Sequence, residues 1–227
     1  MTRRLIAAID TGDAARAAGL IKEVAPYCGL VKLGLEYFLS QGPAGLATAG
    51  GAPVFLDLKL HDIPNTVAGA VRSLAPLGVG MLTIHAGGGA AMVAAAAEAA
   101  ASGPNPPKIL AVTVLTSLDA AALAETGVAG GTTQQVLRLA RLALANGADG
   151  LVCSAHEIAQ LRDAFGEKPI LVVPGIRPVG SALGDQARVM TPEQAVAAGA
   201  DYIVVGRPIT EAGDPGAAAA AIAASVL

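Results

Sequence analysis

Six consecutive residues, Asp57-Leu58-Lys59-Leu60-His61-Asp62, carry four ionisable groups in a chain of which only 15% is charged. They follow the apolar run Val54-Phe55-Leu56, so the cluster begins where a buried strand is ending. Asp57 and Lys59 are two apart, and in extended chain such residues share a face. Ionised groups on an inward face cost several kcal/mol each unless paired. A structural ion pair is the plain alternative, but Asp62 adds a charge that a simple pair does not require. Lys32, closing the preceding apolar run, adds another and favours an alternating network of ammonium and carboxylate. Such a cluster at a strand end marks the catalytic centre of an enzyme.

Short apolar runs place such groups at regular intervals. Strands are expected at Leu5–Ile9, Gly29–Leu33, Val54–Leu58, Met81–His85, Ile109–Val114, Gly150–Cys153, Ile170–Val173 and Tyr202–Val205. They are continuously apolar, the pattern of parallel strands covered on both faces. Ala-rich or amphipathic stretches such as Ala90–Ala101 and Thr132–Ala145 read as helices between them, with glycine or proline at the joins. Eight strands alternating with helices in 227 residues imply an α/β fold, a (β/α)₈ TIM barrel forming one catalytic domain over residues 1–227. A doubly wound open sheet is the rival. No Gly-x-Gly-x-x-Gly follows the first strand and no Gly-x-x-x-x-Gly-Lys-Ser/Thr occurs, so nucleotide-binding open sheets lose their usual support. Leu118–Gly131 and Gly175–Met190 read as long loops over the active face.

A barrel of this kind projects its catalytic groups from the C-terminal strand ends. Those ends here carry Asp10, Lys32, Asp57, Lys59, His85, Thr116 and Arg207. Asp10 alone reads equally well as a helix cap. Barrels also bind phosphate between the loops after strands 7 and 8. Those strands are followed by Pro174-Gly175-Ile176-Arg177-Pro178 and by Gly206-Arg207-Pro208. The glycines let backbone approach an anion and the arginines offer bidentate donors, with Gln186 as a further donor. The alternative is a surface helix start. Gly87-Gly88-Gly89 reads as a tight turn under the next helix, and His61 as positional rather than a general base. His156-Glu157 has no second histidine at zinc spacing, and Ser154 and Cys153 lack the signals of a nucleophile.

Bulk properties remove other classes. The composition is 53% hydrophobic with a mean hydropathy of +0.57, but apolar runs such as Leu5–Ile9 and Val79–Ile84 are far short of the roughly 20 residues a spanning helix needs. The Leu5–Ile9 run is too short for a secretion signal, and Asp10 ends it. A cytoplasmic protein without membrane contact is expected. Cys28 and Cys153 form no disulfide framework or metal spacing. A net charge of −3 and 3% aromatic residues argue against a nucleic-acid surface.

The decapeptide Asp57-Leu58-Lys59-Leu60-His61-Asp62-Ile63-Pro64-Asn65-Thr66 closely resembles the signature of the orotidine 5′-phosphate decarboxylases. Ala8-Ile9-Asp10, Val31-Lys32-Leu33-Gly34, Ile84-His85-Ala86, Val114-Leu115-Thr116-Ser117, Gly175-Ile176-Arg177-Pro178 and Val205-Gly206-Arg207-Pro208 fall in the same order. The resemblance implies decarboxylation of orotidine 5′-monophosphate to uridine 5′-monophosphate, with no cofactor and no metal. It makes Lys59 the proton donor to pyrimidine C6 and sets Asp57 beside the substrate carboxylate. Asp10 and Lys32 would contact the ribose, and Thr116 the pyrimidine edge. Arg177, Gln186, Gly206 and Arg207 would hold the phosphate. Asp62, Ile63 and Thr66 would serve the substrate site, Asp62 and Thr66 reaching into that of a neighbouring subunit, so a homodimer with shared sites is implied. Magnesium-dependent sugar-phosphate decarboxylases share Asp-x-Lys-x-x-Asp but typically continue Ala-Gly where this chain has Ile63-Pro64. A non-enzymatic nucleotide-binding barrel would have little use for Lys59 between carboxylates.

Overall fold

Side chains alternate across each strand, and in this chain both faces are apolar but pack into separate layers. Ile6, Ala8, Leu30, Phe55, Met81, Leu110, Val172 and Val204 cluster together and fill the lumen of a closed barrel. Their sequence neighbours, such as Leu5, Ala7, Val31, Leu56 and Leu82, join a second, larger cluster between the barrel and its helices. The period of two thus divides one apolar sequence into two cores.

A computed structural model describes residues 3–178 and 190–227. In chain order the regular elements are β1 (Leu5–Ile9), α1 (Ala14–Val24), β2 (Leu30–Gly34), α2 (Leu35–Gln41), β3 (Val54–Leu60) and α3 (Pro64–Leu74). There follow β4 (Met81–His85), α4 (Ala90–Ala101), β5 (Lys108–Val112), α5 (Ala120–Glu125), α6 (Thr132–Ala145), β6 (Gly150–Val152) and α7 (Ile158–Phe165). The chain closes with β7 (Ile170–Val173), α8 (Pro192–Ala197), β8 (Tyr202–Val205), α9 (Arg207–Thr210) and α10 (Pro215–Ser225). All neighbouring strands are parallel, and β1 closes on β8 with Ile6 opposite Val204.

The expected (β/α)₈ architecture is therefore present, and four of its strands have the bounds read from sequence. The others shift at their ends. Strand β5 stops at Val112 rather than Val114, and β3 runs on to Leu60 rather than ending at Leu58. Leu118–Gly131, expected as a long loop, contains α5, whose start is capped by Asp119 accepting from the Ala122 N–H at 2.8 Å. A capping carboxylate of this kind contributes about 1 kcal/mol, enough to hold a single short turn of alanines.

The N-terminal rim of the barrel is tied by a repeated Gly-Ala-Asp. Asp149, before β6, accepts from the Ile109 N–H at 2.9 Å, and Lys108 pairs with its other oxygen at 2.8 Å. Asp201, before β8, accepts from the Leu171 N–H and from Arg162 Nη2, both at 2.7 Å. Each carboxylate stitches its own strand to the preceding one where the ladder begins. Cys28 and Cys153 are both free and buried. Burial pushes the Cys28 thiol up to about 11 and raises the Cys153 thiol as well. No helix among the described residues is long and apolar enough to cross a membrane.

Candidate active site

The lumen changes character toward the C-terminal ends of the strands. Lys32, Asp57 and Thr83 lie two residues beyond Leu30, Phe55 and Met81, so period two points them into the same interior. Between Leu56 and Leu60 the β3–β4 register slips: Leu56 faces Leu82, but Leu60 faces Ile84. Strand β3 therefore carries a bulge opposite Thr83, and within it Lys59 has φ +52°. A left-handed backbone costs a non-glycine residue about 1–2 kcal/mol, and bulges re-aim side chains beside active sites. Here the result is that Lys59 Nζ lies 2.9 Å from both Asp57 Oδ1 and Asp57 Oδ2. Sequence parity anticipated that the two side chains share a face; the strand is not regular where they do so.

The pair belongs to an alternating chain of charges. Asp10 Oδ1 meets Lys32 Nζ at 3.0 Å, Lys32 Nζ reaches Asp57 Oδ2 at 3.6 Å, and Lys59 completes the series. Gly34 leaves room for it, since a Cβ there would stand 3.2 Å from both Asp10 Oδ1 and Lys32 Nζ. The Asp57 side chain is only 13% exposed. Burial alone would raise its carboxyl, but the ammonium groups of Lys32 and Lys59, with hydrogen bonds from Lys59 and Thr83, hold it below the usual carboxylate range. Asp57 is thus the ionised hub: the expected network of Lys32, Asp57 and Lys59 is present, with Asp10 rather than this chain's Asp62 as its further carboxylate.

Two adjoining cavities meet at this hub. The larger, about 420 Å³, includes Lys32 and Asp57 and extends to Gly206, Arg177 and Arg207. The smaller, about 140 Å³, shares Lys32 and Asp57 and is lined by Lys59, Thr116 and apolar groups including Phe55, Val114 and Leu115. Arg177 is buried, and its Nε has no hydrogen-bond partner among the described residues. Burial lowers its guanidinium pKa, the nearby Arg207 adds to that, and Glu211 opposes it. Two cations converging on one end of a cavity create a place for an anion. Arg207 opens α9 directly after Gly206, and Arg16, from α1, also lines this end. Gln186 lies outside the described residues.

Asp62, Ile63 and Thr66 stand apart from the cavity walls. All three are exposed, Ile63 to 67%. Asp62 Oδ1 accepts from the Ile63 N–H at 2.6 Å, and no ion pair with Asp62 occurs among the described residues. His61 stacks on His85 with ring centroids 5.1 Å apart, which fits a positional role. Burial lowers the His85 pKa, with smaller contributions from His61 and Lys59. Gly89, at φ +87°, ends the short turn before α4. Among the described residues no three His, Cys, Asp or Glu side chains gather to hold a metal.

Sequence reasoning passed over Thr83 and Arg16. Thr83 sits inside the expected strand Met81–His85, where threonine is an ordinary β-former. Its signal was that it alone is polar among the fully buried residues of that strand. Arg16 lies in the first turn of α1, capped by Asp13, and nothing in its spacing marks it.

A closed (β/α)₈ barrel with a lysine–aspartate network at its mouth, joined to a cationic pocket after β7 and β8, defines an enzyme acting on a phosphorylated ligand. The chain belongs to the orotidine 5′-phosphate decarboxylase / HUMPS family, whose profile matches residues 3–222. An orotidine 5′-phosphate decarboxylase of Anaeromyxobacter sp. (strain K) is 58% identical over 227 residues, covering 99% of each chain. One from Gluconobacter oxydans (strain 621H) is 54% identical, covering 96% of this chain and 95% of that one. The crystal structure of the orotidine 5′-phosphate decarboxylase from Lactobacillus acidophilus superposes with a TM-score of 0.88 at 38% identity, over 99% of both chains.

Proposed function

We propose that this chain decarboxylates orotidine 5′-monophosphate to uridine 5′-monophosphate and carbon dioxide, a step of pyrimidine synthesis. Family membership supports this reading, as do relatives of near-equal length that carry the corresponding name. The observation that carries it is the meeting of the two cavities at Lys32 and Asp57, with Lys59 lining the smaller one. The larger cavity, with Arg177 and Arg207, suits a phosphate and the ribose beside Asp10 and Lys32. The smaller suits a flat ring with one polar edge at Thr116. A nucleotide laid across both brings its base to the Lys59 ammonium.

The chemistry follows from that placement. Cleavage of the bond between C6 and the carboxylate releases CO₂ and leaves the electron pair on C6. No carbonyl adjoins that carbon to delocalise the charge, so a prepositioned cation must stabilise it. Lys59 supplies the cation and then the proton, giving uridine 5′-monophosphate. Asp57 orients the ammonium and sets a negative charge beside the substrate carboxylate, an interaction relieved as CO₂ leaves. Phosphate contacts far from C6 contribute binding energy that is used to hold the reacting ring.

The reading includes no cofactor or metal, a cytoplasmic setting, and residues 1–227 acting as one catalytic domain. It also includes a homodimer in which Asp62 and Thr66 complete the partner's site. What supports the sharing is that Asp62 is exposed and turned onto the Ile63 N–H instead of pairing with Lys59 of its own chain. Purified protein in excess EDTA, followed by the absorbance of orotidine 5′-monophosphate, tests the proposal. Turnover in EDTA is expected. No turnover would sink it, and turnover only after adding magnesium would favour a sugar-phosphate branch of the family.

A further inference from the structure

We propose that Thr83 is a positioning residue of the reaction, clamping Lys59 from both ends through one hydroxyl. The inference rests on the decarboxylase reading above and deepens it. Thr83 is fully buried on the lumenal side of β4. Its Oγ1 accepts from the Lys59 backbone N–H at 2.8 Å and donates to Asp57 Oδ1 at 2.9 Å. The directions are fixed by chemistry, because the backbone N–H can only donate and an ionised carboxylate can only accept. The same Asp57 Oδ1 accepts from Lys59 Nζ at 2.9 Å. A closed ring results: Lys59 N–H to Thr83, Thr83 to Asp57, and Asp57 back to the ammonium of Lys59.

The ring answers a problem that the bulge creates. The residues added to β3 between Leu56 and Leu60 lose the regular ladder opposite them. Lys59 also sits at φ +52°, a conformation that persists only where the surroundings enforce it. Thr83 stands opposite the slip and gives the displaced N–H an acceptor. It thereby fixes the backbone from which the lysine side chain springs, while its proton fixes the carboxylate on which that side chain ends. A threonine holds its hydroxyl in few rotamers, so the acceptor stays aimed. The anion pocket at Arg177 and Arg207 takes no part in the ring.

Thr83→Val keeps the volume and removes the hydroxyl, leaving the Lys59 N–H and one Asp57 oxygen without that partner. A misplaced ammonium weakens transition-state contacts more than ground-state ones, so kcat is expected to fall by about tenfold to a hundredfold. KM and the affinity for uridine 5′-monophosphate should stay near the wild-type values. Thr83→Ser, which restores the hydroxyl, should recover most of the lost kcat. Should the valine variant fail to fold, Thr83→Ala against Thr83→Ser carries the same comparison. Wild-type kcat in the valine or alanine variant, or a loss that serine does not recover, would overturn the inference while the wild-type enzyme stays active. Absence of turnover by wild-type protein would instead overturn the activity itself, and the positioning role with it.

Discussion

Lys59 Nζ stands 2.9 Å from each carboxylate oxygen of Asp57, two residues earlier on the same strand. The ammonium is held symmetrically in the wall of the smaller cavity, and 39% of the lysine side chain is exposed. A cation so placed meets charge that develops on a bound ring, and contributes little to holding a distant phosphate. Lys59→Ala should therefore lower kcat by at least about a thousandfold while uridine 5′-monophosphate still binds measurably. Steady-state kinetics beside calorimetric titration of the product check this, and near-normal kcat in the variant would refute the assigned role.

Asp57 links that site to the pH dependence of stability. Burial opposes its ionisation, yet Lys32, Lys59 and Thr83 together hold its carboxyl below the unfolded value of 3.8. Near that value the unfolded chain then binds more protons than the folded one, so stability rises with pH there. The contribution is complete above the unfolded pKa and is lost as pH falls through the lower folded one. Urea denaturation from neutral pH into acid should show a shallower acid loss for Asp57→Asn than for wild type. Parallel acid limbs would remove Asp57 as the source.

The strand rhythm made the barrel legible, because covered parallel strands write themselves as continuous apolar runs. The ends were less so. Strand β5 illustrates the difficulty: Thr113 and Val114 are as buried as the strand before them, so the pattern there records burial rather than strand pairing. The charged cluster was legible from residue type and spacing, and the convergence of Arg177 and Arg207 on one cavity from their places after β7 and β8. The bulge at Lys59 was not, because a register slip depends on what β4 places opposite, and Thr83 carries no local signal of it. Asp119, a helix cap, reads as part of a loop because six alanine-rich residues give almost no amphipathic pattern.

Arg162 offers a test of the fold that leaves the chemistry alone. Its guanidinium donates to the carbonyls of Gly199, Gly166 and Pro169 and pairs with Asp201, all at the N-terminal rim. The side chain is 8% exposed, so its loss strands several acceptors away from water. Arg162→Met should destabilise the protein by about 2–3 kcal/mol, the half-exposed Asp201 carboxylate limiting the cost. Because the active residues lie at the opposite rim, kcat of the folded variant should match wild type. Denaturant midpoints and kinetics on the same samples decide it, and a large fall in kcat without loss of stability would contradict this division of roles.

Asp62 provides the test of subunit sharing. It follows Lys59 by three residues but is exposed and engaged with the Ile63 N–H, and among the described residues no ion pair holds its charge near the ammonium. If it completes the partner's site, Lys59→Ala and Asp62→Ala are each inactive for lack of a different half. A mixed dimer then holds one site with both defects and one with neither. Random exchange makes half the dimers mixed, so an equal mixture should recover about a quarter of wild-type activity per site in a two-fold symmetric assembly. Exchange can be verified with differently tagged chains, and activity measured before and after it is complete. Full exchange without recovery would show that each chain carries its own complete site.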